Sequence, residues 1–569
     1  MEGSSNLRRI MDFTGRGIVR ALALAVVLLR GSAAMGAVQT AVKLDSGGPL
    51  LSEQGAYDVQ HCALDIEILP KRTWLRGTMT LEVRSVSPMS WFVLDLDTPL
   101  RVKHVRQQVT DAQSTSRALP FERRGGRIWI PLGKVEQPGQ NLVFTVAYEG
   151  HPRRAVRPPW DGGFTWSKTK SGHPWIATSA QTQGADLWYP CKDHPSDKAE
   201  SFTIRARVPE PLVVASNGRL VEVIEHPNKT RTYHWHTSIP TSFYNIALNI
   251  APYRTIESQF KSVGGETVPV TYWVLPENEE KGKKLVPEMI EHLQFYERLL
   301  GPYLCRSEKY GVAETPHLGM EHQGIIAYGN AYRGGPHGYD WLHHHELGHE
   351  WWGNLITAID WRHFWIHEGF CTYMQALYAE QREGAMAYHH ALYTSRRKIR
   401  NKHPLVPPGP TGMLGMDKMA SGDVYDKGSW ILHTLRYLIG DKAFFQCLRR
   451  MAYPDAEWEQ RKEGRATRFV SSEEFNALVN RVTGKSYDWL FKVYLHQAEL
   501  PKLVPKTESD ELILEWITPE KLPFPMPVEV KVGETTERVE LPGGSVRLNA
   551  ARYRDAKLDP NMWILKHER

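Results

Sequence analysis

The sequence has little cysteine. Its five residues, Cys62, Cys191, Cys305, Cys371 and Cys447, are odd in number, scattered and without close-paired spacing. That pattern excludes a disulfide scaffold and a cysteine-rich zinc module. No run of residues is long and apolar enough to span a bilayer; the uninterrupted stretch at 21–29 is nine residues, short of the roughly 20 that a spanning helix needs. No internal repeat or low-complexity tract stands out, so a repeat architecture is not indicated. Charge of one sign is also lacking. The formal net charge is +6, and half of it comes from five Arg against Glu2 and Asp12 in the first 36 residues. The remainder is not a nucleic-acid-binding composition. What is present, 41% hydrophobic and 24% charged residues, is ordinary for a soluble globular protein. At 569 residues the chain exceeds one core and should divide into about three or four domains.

Residues 1–36 read as a secretory signal: a basic region carrying Arg8 to Arg20, the apolar stretch, then Ala34-Met35-Gly36 as a small-residue cleavage site. An exported enzyme, periplasmic or extracellular, is expected, with no stable membrane span. Residues 37–54 then serve as a linker.

The densest chemistry lies at His345-Glu346-Leu347-Gly348-His349, with eighteen residues separating His349 from Glu368. On a helix, side chains four apart project from one face, so His345 and His349 can grip one ion while Glu346 reaches a water beside it. Glu368 can return as a third ligand from the start of a second helix. Two imidazoles and one carboxylate leave the fourth position of a tetrahedral zinc open, the catalytic arrangement. A solvated His-rich helix is the bland alternative, since His343 and His344 extend the run. The apolar continuation Trp351, Trp352, Leu355, Ile356 argues instead for a buried helix.

These residues resemble the M1 aminopeptidases, gluzincin metallopeptidases related to leukotriene A4 hydrolase and aminopeptidase N. The resemblance rests on His345 to His349, on Trp352-Gly353-Asn354 and on Trp365-Ile366-His367-Glu368-Gly369-Phe370. The family usually has Asn before the third ligand, where this chain has His367. Upstream, Gly319-Met320-Glu321 matches the family's substrate segment, with His322 in place of Asn. Downstream, Tyr425-Asp426-Lys427-Gly428 matches its Tyr-x-Lys-Gly segment, and Gln181 stands where the family's Gln reaches the substrate's first residue.

Strand-length alternation between residues 57 and 256 predicts an antiparallel β domain, similar to the family's N-terminal saddle. Helical periodicity then takes over, with 285–300 and 443–451 as clear windows and Ser471 to Glu474 as a capping box. Short strands return after about residue 500. The expected architecture is therefore α+β and multidomain: a β domain at 55–256, a thermolysin-like, mostly α catalytic domain at 257–500, and a small β-sandwich at 501–569. The charged run 457–468 reads as a solvated loop or helix face, and Cys371 as core packing rather than a catalytic thiol.

The resemblance implies one zinc per chain on His345, His349 and Glu368, with Glu346 as general base on a metal-activated water. Tyr425 would donate to the developing oxyanion. Glu321 and Gln181, beside Gly319 and Met320, would hold the free α-ammonium of a peptide substrate. The implied activity is that of a zinc aminopeptidase acting on peptides with a free N-terminus, with a monomer favoured. A thermolysin-like endopeptidase or an epoxide hydrolase would use the same metal residues, and a non-catalytic peptide-binding relative would have lost one of them.

Overall fold

Alternating side chains in the stretch that begins at Tyr57 build a thirteen-residue strand, Tyr57–Leu69, whose Cys62, Leu64, Ile66 and Ile68 all point into the core. The strand pairs antiparallel with Trp74–Ser85 (Leu64 opposite Met79) and parallel with Ser201–Pro209 (Leu64 opposite Ile204). Around this centre runs an eight-stranded sheet from Arg219–His226 at one edge to Ser116–Leu119 at the other. Phe144 of this sheet stacks on Phe92 of a three-stranded sheet, ring centroids 4.0 Å apart. The structure, a computed structural model, describes residues 45–108, 115–181, 183–420, 422–462 and 464–568. The export signal expected at 1–36, and the expected linker as far as residue 44, lie outside the described residues.

The rest of the linker is not slack. Residues 52–55 form a helical turn, α1 (Ser52–Gly55), and Gly47 forms a bridge with Gly412. The change of sheet comes slightly before 256. Strand Arg254–Lys261 crosses that position and belongs with Thr267–Val274, Tyr310–Glu314, Ile326–Tyr328 and Gly319–Met320 in a five-stranded sheet. Gly319–Met320 is its edge, pairing antiparallel with Ile326–Tyr328, which puts Glu321 immediately beyond a fixed strand end.

On this sheet pack helices α2 (Glu279–Leu300) and α3 (Trp341–Gly348). Then follow α4 (Trp365–Glu383), α5 (Ala385–Arg396), α6 (Met413–Ala420), α7 (Asp423–Ile439) and α8 (Asp441–Ala452), with α4 against α3, α5 and α7, and α8 against α2 and α7. A short α9 (Ala456–Gln460) follows, then α10 (Ser472–Thr483), which Ser471 caps by accepting from Glu474 N, and α11 (Asp488–His496). The charged run around α9 is only partly solvated. Glu459 is buried and paired with Arg449 and Arg450. Among the described residues no helix is long and apolar enough to cross a membrane.

The crossing of α4 and α7 is set by two glycines. A Cβ on Gly369 would lie 2.8 Å from Gly428 Cα, and one on Gly428 would lie 2.8 Å from Gly369 Cα. The helices therefore meet backbone to backbone. Lys427, next in α7, is fully buried and donates to the carbonyls of Gln497 (3.1 Å) and Ala498 (3.3 Å) just past α11. Burial lowers its pKa to about 8.

Two three-stranded sheets close the fold at the C-terminal end. The chain then returns to the catalytic helices. Tyr494 donates to the Leu565 carbonyl (2.6 Å), Thr434 to that of Trp563 (3.1 Å), and Trp563 stacks on His433 at 4.9 Å.

The glycine contact yields a test by sign. In an uncrowded helix Gly→Ala is stabilising by up to about 1 kcal/mol, whereas forcing a methyl into a packed contact costs about 1–3 kcal/mol. Gly428→Ala should therefore lower the urea midpoint. A raised midpoint would mean that the helices are not in backbone contact.

Candidate active site

Helix α3 starts where Asp340 accepts from His343 N (3.1 Å). It ends at Gly348, earlier than the apolar continuation suggests, because Gly348 packs under α2: a Cβ there would lie 2.5 Å from Tyr296 Oη. His349 keeps helical backbone angles as the C-cap, so the four-residue relation to His345 survives. Trp351, Trp352, Leu355 and Ile356 are fully buried, but in turns and the short strand Ile356–Ala358. His343 and His344 are buried too. The His343 ring lies 2.8 Å from His292 Nδ1 and 2.6 Å from Tyr310 Oη, so the extra histidines are core.

His345 and His349 aim Nε2 at one oxygen, Glu368 Oε2, at 3.2 and 3.4 Å. Their other nitrogens are fixed by acceptors, Gln375 Oε1 for His345 (3.3 Å) and the Trp352 carbonyl for His349 (3.1 Å). An acceptor at Nδ1 holds the proton there and leaves the Nε2 lone pair for a metal. Glu321, Glu346 and His349 form a second, overlapping group with ligand atoms within 4.8 Å. All three carboxylates are buried. Burial pushes the Glu346 and Glu321 carboxyls upward, and Glu368 adds to both. Two imidazole lone pairs and three converging carboxylates, with no Lys or Arg in the set, fit a divalent cation bound by nitrogen and oxygen.

The other expected site residues gather here. Glu368 Oε1 accepts from Tyr425 Oη at 2.9 Å and from Gln181 Nε2 at 3.2 Å, and Gln181 also reaches Glu321 Oε1 at 3.5 Å. Gln183, two residues on, makes no such contact. Gly319 lies against the general-base candidate: a Cβ there would be 2.4 Å from Glu346 Oε1. Met320 is buried beside it. Cys371 is buried 3.4 Å from His349 Nδ1, and burial holds its thiol up at about 12, so it stays protonated.

Comparison with known proteins agrees with this geometry. Residues 56–244 match the Peptidase M1 N-terminal domain and residues 341–455 the Peptidase family M1 domain. The chain belongs to peptidase family M1. It resembles an M1 zinc metallopeptidase mutant from Deinococcus radiodurans, solved with a Tyr-Ser-Ala substrate, at TM-score 0.64 and 25% identity over 80% of this chain and 98% of that one. It is 25% identical to leucine aminopeptidase 2 of Ajellomyces capsulatus over 82% of this chain and 74% of that protein. Human endoplasmic reticulum aminopeptidase 2 is 24% identical over 49% of this chain, and there the match spans only 31% of the longer protein. The cofactor of this M1 peptidase is zinc.

Gln375 and Lys198 carry no signal in the sequence alone, and Asn354 shows there only as part of a family segment. Gln375 orients His345 and is tied down by donating to the Trp341 carbonyl (3.0 Å). Asn354 donates to the Glu321 carbonyl (3.2 Å) and accepts at Oδ1 from Asn245 of the β domain. Its own carbonyl takes the buried Lys198 Nζ at 2.6 Å. The two departures from the family pattern are both buried. His367 accepts from Ala358 N (2.9 Å). His322 has no hydrogen bond at either ring nitrogen, and burial beside His317 takes its pKa down to about 3.

A graded loss of metal should follow. Removing a ligand, His349→Ala, should collapse zinc stoichiometry. Removing only the orienting group, Gln375→Leu, should weaken zinc affinity by about 10- to 100-fold. Metal analysis against a chelator series reads both; full occupancy in His349→Ala would sink the ligand assignment.

Proposed function

We propose that this M1 peptidase is an aminopeptidase that removes the first residue from peptides with a free N-terminus. The observation that carries the reading is Glu321: a carboxylate only 2% exposed, bridged to the third metal ligand by Gln181. A buried anion at one end of the site suits a substrate ammonium. An internal peptide has no charge to offer it, so an endopeptidase would leave that anion unpaired. The Deinococcus relative, solved with the tripeptide substrate Tyr-Ser-Ala, supports a peptide as the substrate.

Two cavities meet at Tyr425. One, of about 200 Å³, is lined by Gln181, Phe364, Met413, Met416 and Val424, and so lies at the amine-binding end. It suits an apolar first side chain. The other, of about 380 Å³, is lined by His345, Gln375 and Asp426 and not by Gln181, and would take the leaving peptide.

Zinc on His345, His349 and Glu368 supplies a Lewis acid that polarises a carbonyl oxygen and acidifies water. The chain's own groups do the rest. Glu321 and Gln181 hold the ammonium and thereby fix which peptide bond lies beside Tyr425. Glu346 takes a proton from water at its carboxylate and returns it to the departing amine nitrogen. Tyr425 Oη, which donates to Glu368 Oε1 in the structure, can turn its hydrogen bond toward the carbonyl oxygen as negative charge develops there.

Losing an oxyanion donor typically costs about 100- to 1000-fold in kcat, so Tyr425→Phe should retain zinc and lose turnover on that scale. A change within about threefold would instead make Tyr425 a packing residue.

Glu321→Ala should lower kcat/KM by about 100-fold or more, because a charge-assisted partner is lost from a buried site. Acetylating the substrate's N-terminus should do similar damage to the parent enzyme. The two losses should not add, since each removes the same ion pair. Rapid cleavage of an acetylated peptide would overturn the aminopeptidase reading and leave the zinc site standing.

A further inference from the structure

A separate cavity, of about 260 Å³, is lined by none of the zinc residues. Around it stand Asp45, Asp95, Asp186 and Asp193, with the backbone of Gly47 and Gly48. Asp186 is 1% exposed, and neither of its carboxylate oxygens has a hydrogen-bond partner. A buried carboxylate left in that state is costly. Gly184, with φ +98°, lets both carboxylates close in on its backbone. A Cβ there would lie 2.6 Å from Asp186 Oδ1 and 2.1 Å from Asp193 Oδ2, so the two oxygens crowd the position a side chain would take.

None of the nearby cations makes an ion pair with Asp186 or Asp193. Arg127, itself in the cavity wall, pairs with Asp95 Oδ1 (2.9 Å) and Arg153 with both oxygens of Asp97 (3.0 and 2.8 Å). Arg123 donates to the carbonyls of Leu96 and Asp97, and its buried Nη1 has no partner. Asp95 Oδ2 accepts from Gln54 (2.6 Å) and from Asp193 N (3.0 Å). Asp193 has only the Ala185 amide on Oδ1 (3.1 Å) and Ser46 as donors. Both nitrogens of His194 are engaged, with Ser196 Oγ (2.7 Å) and the Gly48 carbonyl (3.0 Å). The donors left facing the cavity are therefore oxygens. Burial first, and the neighbouring carboxylates next, push Asp186 well up and Asp193 to about 7. A bound cation would relieve the pair, with a shared proton as the rival that Asp186→Asn separates.

The geometry points to a hard divalent cation of the calcium class, held between Asp186 and Asp193 with backbone carbonyls and water completing an all-oxygen shell. Calcium accepts six to eight oxygens in flexible geometry, whereas a zinc site would call for nitrogen or sulfur. The site would be structural, and its reach is defined. Gly47 N donates to the Asp193 carbonyl (3.2 Å), Met413 N to that of Ser46 (2.9 Å), and Leu414 N to Asp45 Oδ1 (2.6 Å). A cation here would thus clamp residues 45–48 and the start of α6, whose Met413 and Met416 line the cavity beside Gln181.

The test uses the zinc-loaded full chain, freed of other metals and titrated with CaCl2, with MgCl2 and NaCl as controls. One calcium per chain should bind by calorimetry, and the melting temperature should rise by several degrees as sites fill. Asp186→Asn should weaken calcium binding by about tenfold or more with zinc content unchanged. Should that variant fail to fold, Tb3+ luminescence sensitised through Trp188 in the parent protein, displaced by Ca2+, gives the same answer. Absence of calcium binding and of a Tb3+ signal up to about 10 mM, well above the weakest extracellular calcium sites, would overturn the proposal. So would an unchanged calcium response in Asp186→Asn. A calcium-independent rise in stability in Asp186→Asn would do so as well, since the pair would then share a proton.

Discussion

Two glycines set how closely the catalytic helices approach. Gly369 follows the third metal ligand in α4, and Gly428 lies one turn beyond Tyr425 in α7; their backbones touch. Any side chain between them would carry Tyr425 away from Glu368. With the contact in place, each oxygen of one carboxylate has its own duty. Glu368 Oε2 faces both imidazoles, and Oε1 takes Tyr425 and Gln181. The proposed metal binding, oxyanion stabilisation and recognition of the substrate amine are thereby tied to one side chain. The Glu-Gly and Tyr-x-Lys-Gly segments, far apart in sequence, are the two halves of a single packing contact.

The legible part of the site was the part built on local periodicity. Four-residue spacing on a helix places His345 and His349 on one face whatever the remainder of the fold does. Alternation in Tyr57–Leu69 and three-and-four spacing in α2 likewise follow from burying one face of a strand or helix. Tyr425, Gln181 and Glu321 were legible only through family resemblance, because they reach the site from separate elements. Gln375 and the buried ammonium of Lys198 were not legible at all, and Asn354 only as a member of a family segment, with no sign of what it holds. Each works by satisfying a particular buried carbonyl or imidazole, and no composition or period encodes which one. The early end of α3 at Gly348 was missed for a related reason. Apolar residues 351–356 demand burial, and turns packed under α2 bury them as well as a helix would.

The β domain does more than cover the catalytic helices. Asn245 and Lys198 meet Asn354, and Asn354 holds the carbonyl of Glu321. Gln181 comes from the same domain. Both residues proposed to hold the substrate amine are thus positioned from across the boundary, and moving the two domains apart would disturb specificity before it disturbed the metal. The zinc residues themselves lie in the catalytic helices, with Gln375 and Trp352 fixing the imidazoles locally.

The returning C-terminal segment has a consequence for how the protein matures. Residues 562–565 cover the outer face of α7 and dock on Thr434 and Tyr494. During synthesis these residues leave the ribosome well after the helix that carries Tyr425. Until they arrive, the far side of α7 lacks its cover and the glycine crossing is held from one side only. Assembly of the site is in this way tied to the emergence of residues 562–565, so a nascent chain that has not yet released them carries its catalytic helices in an unfinished state.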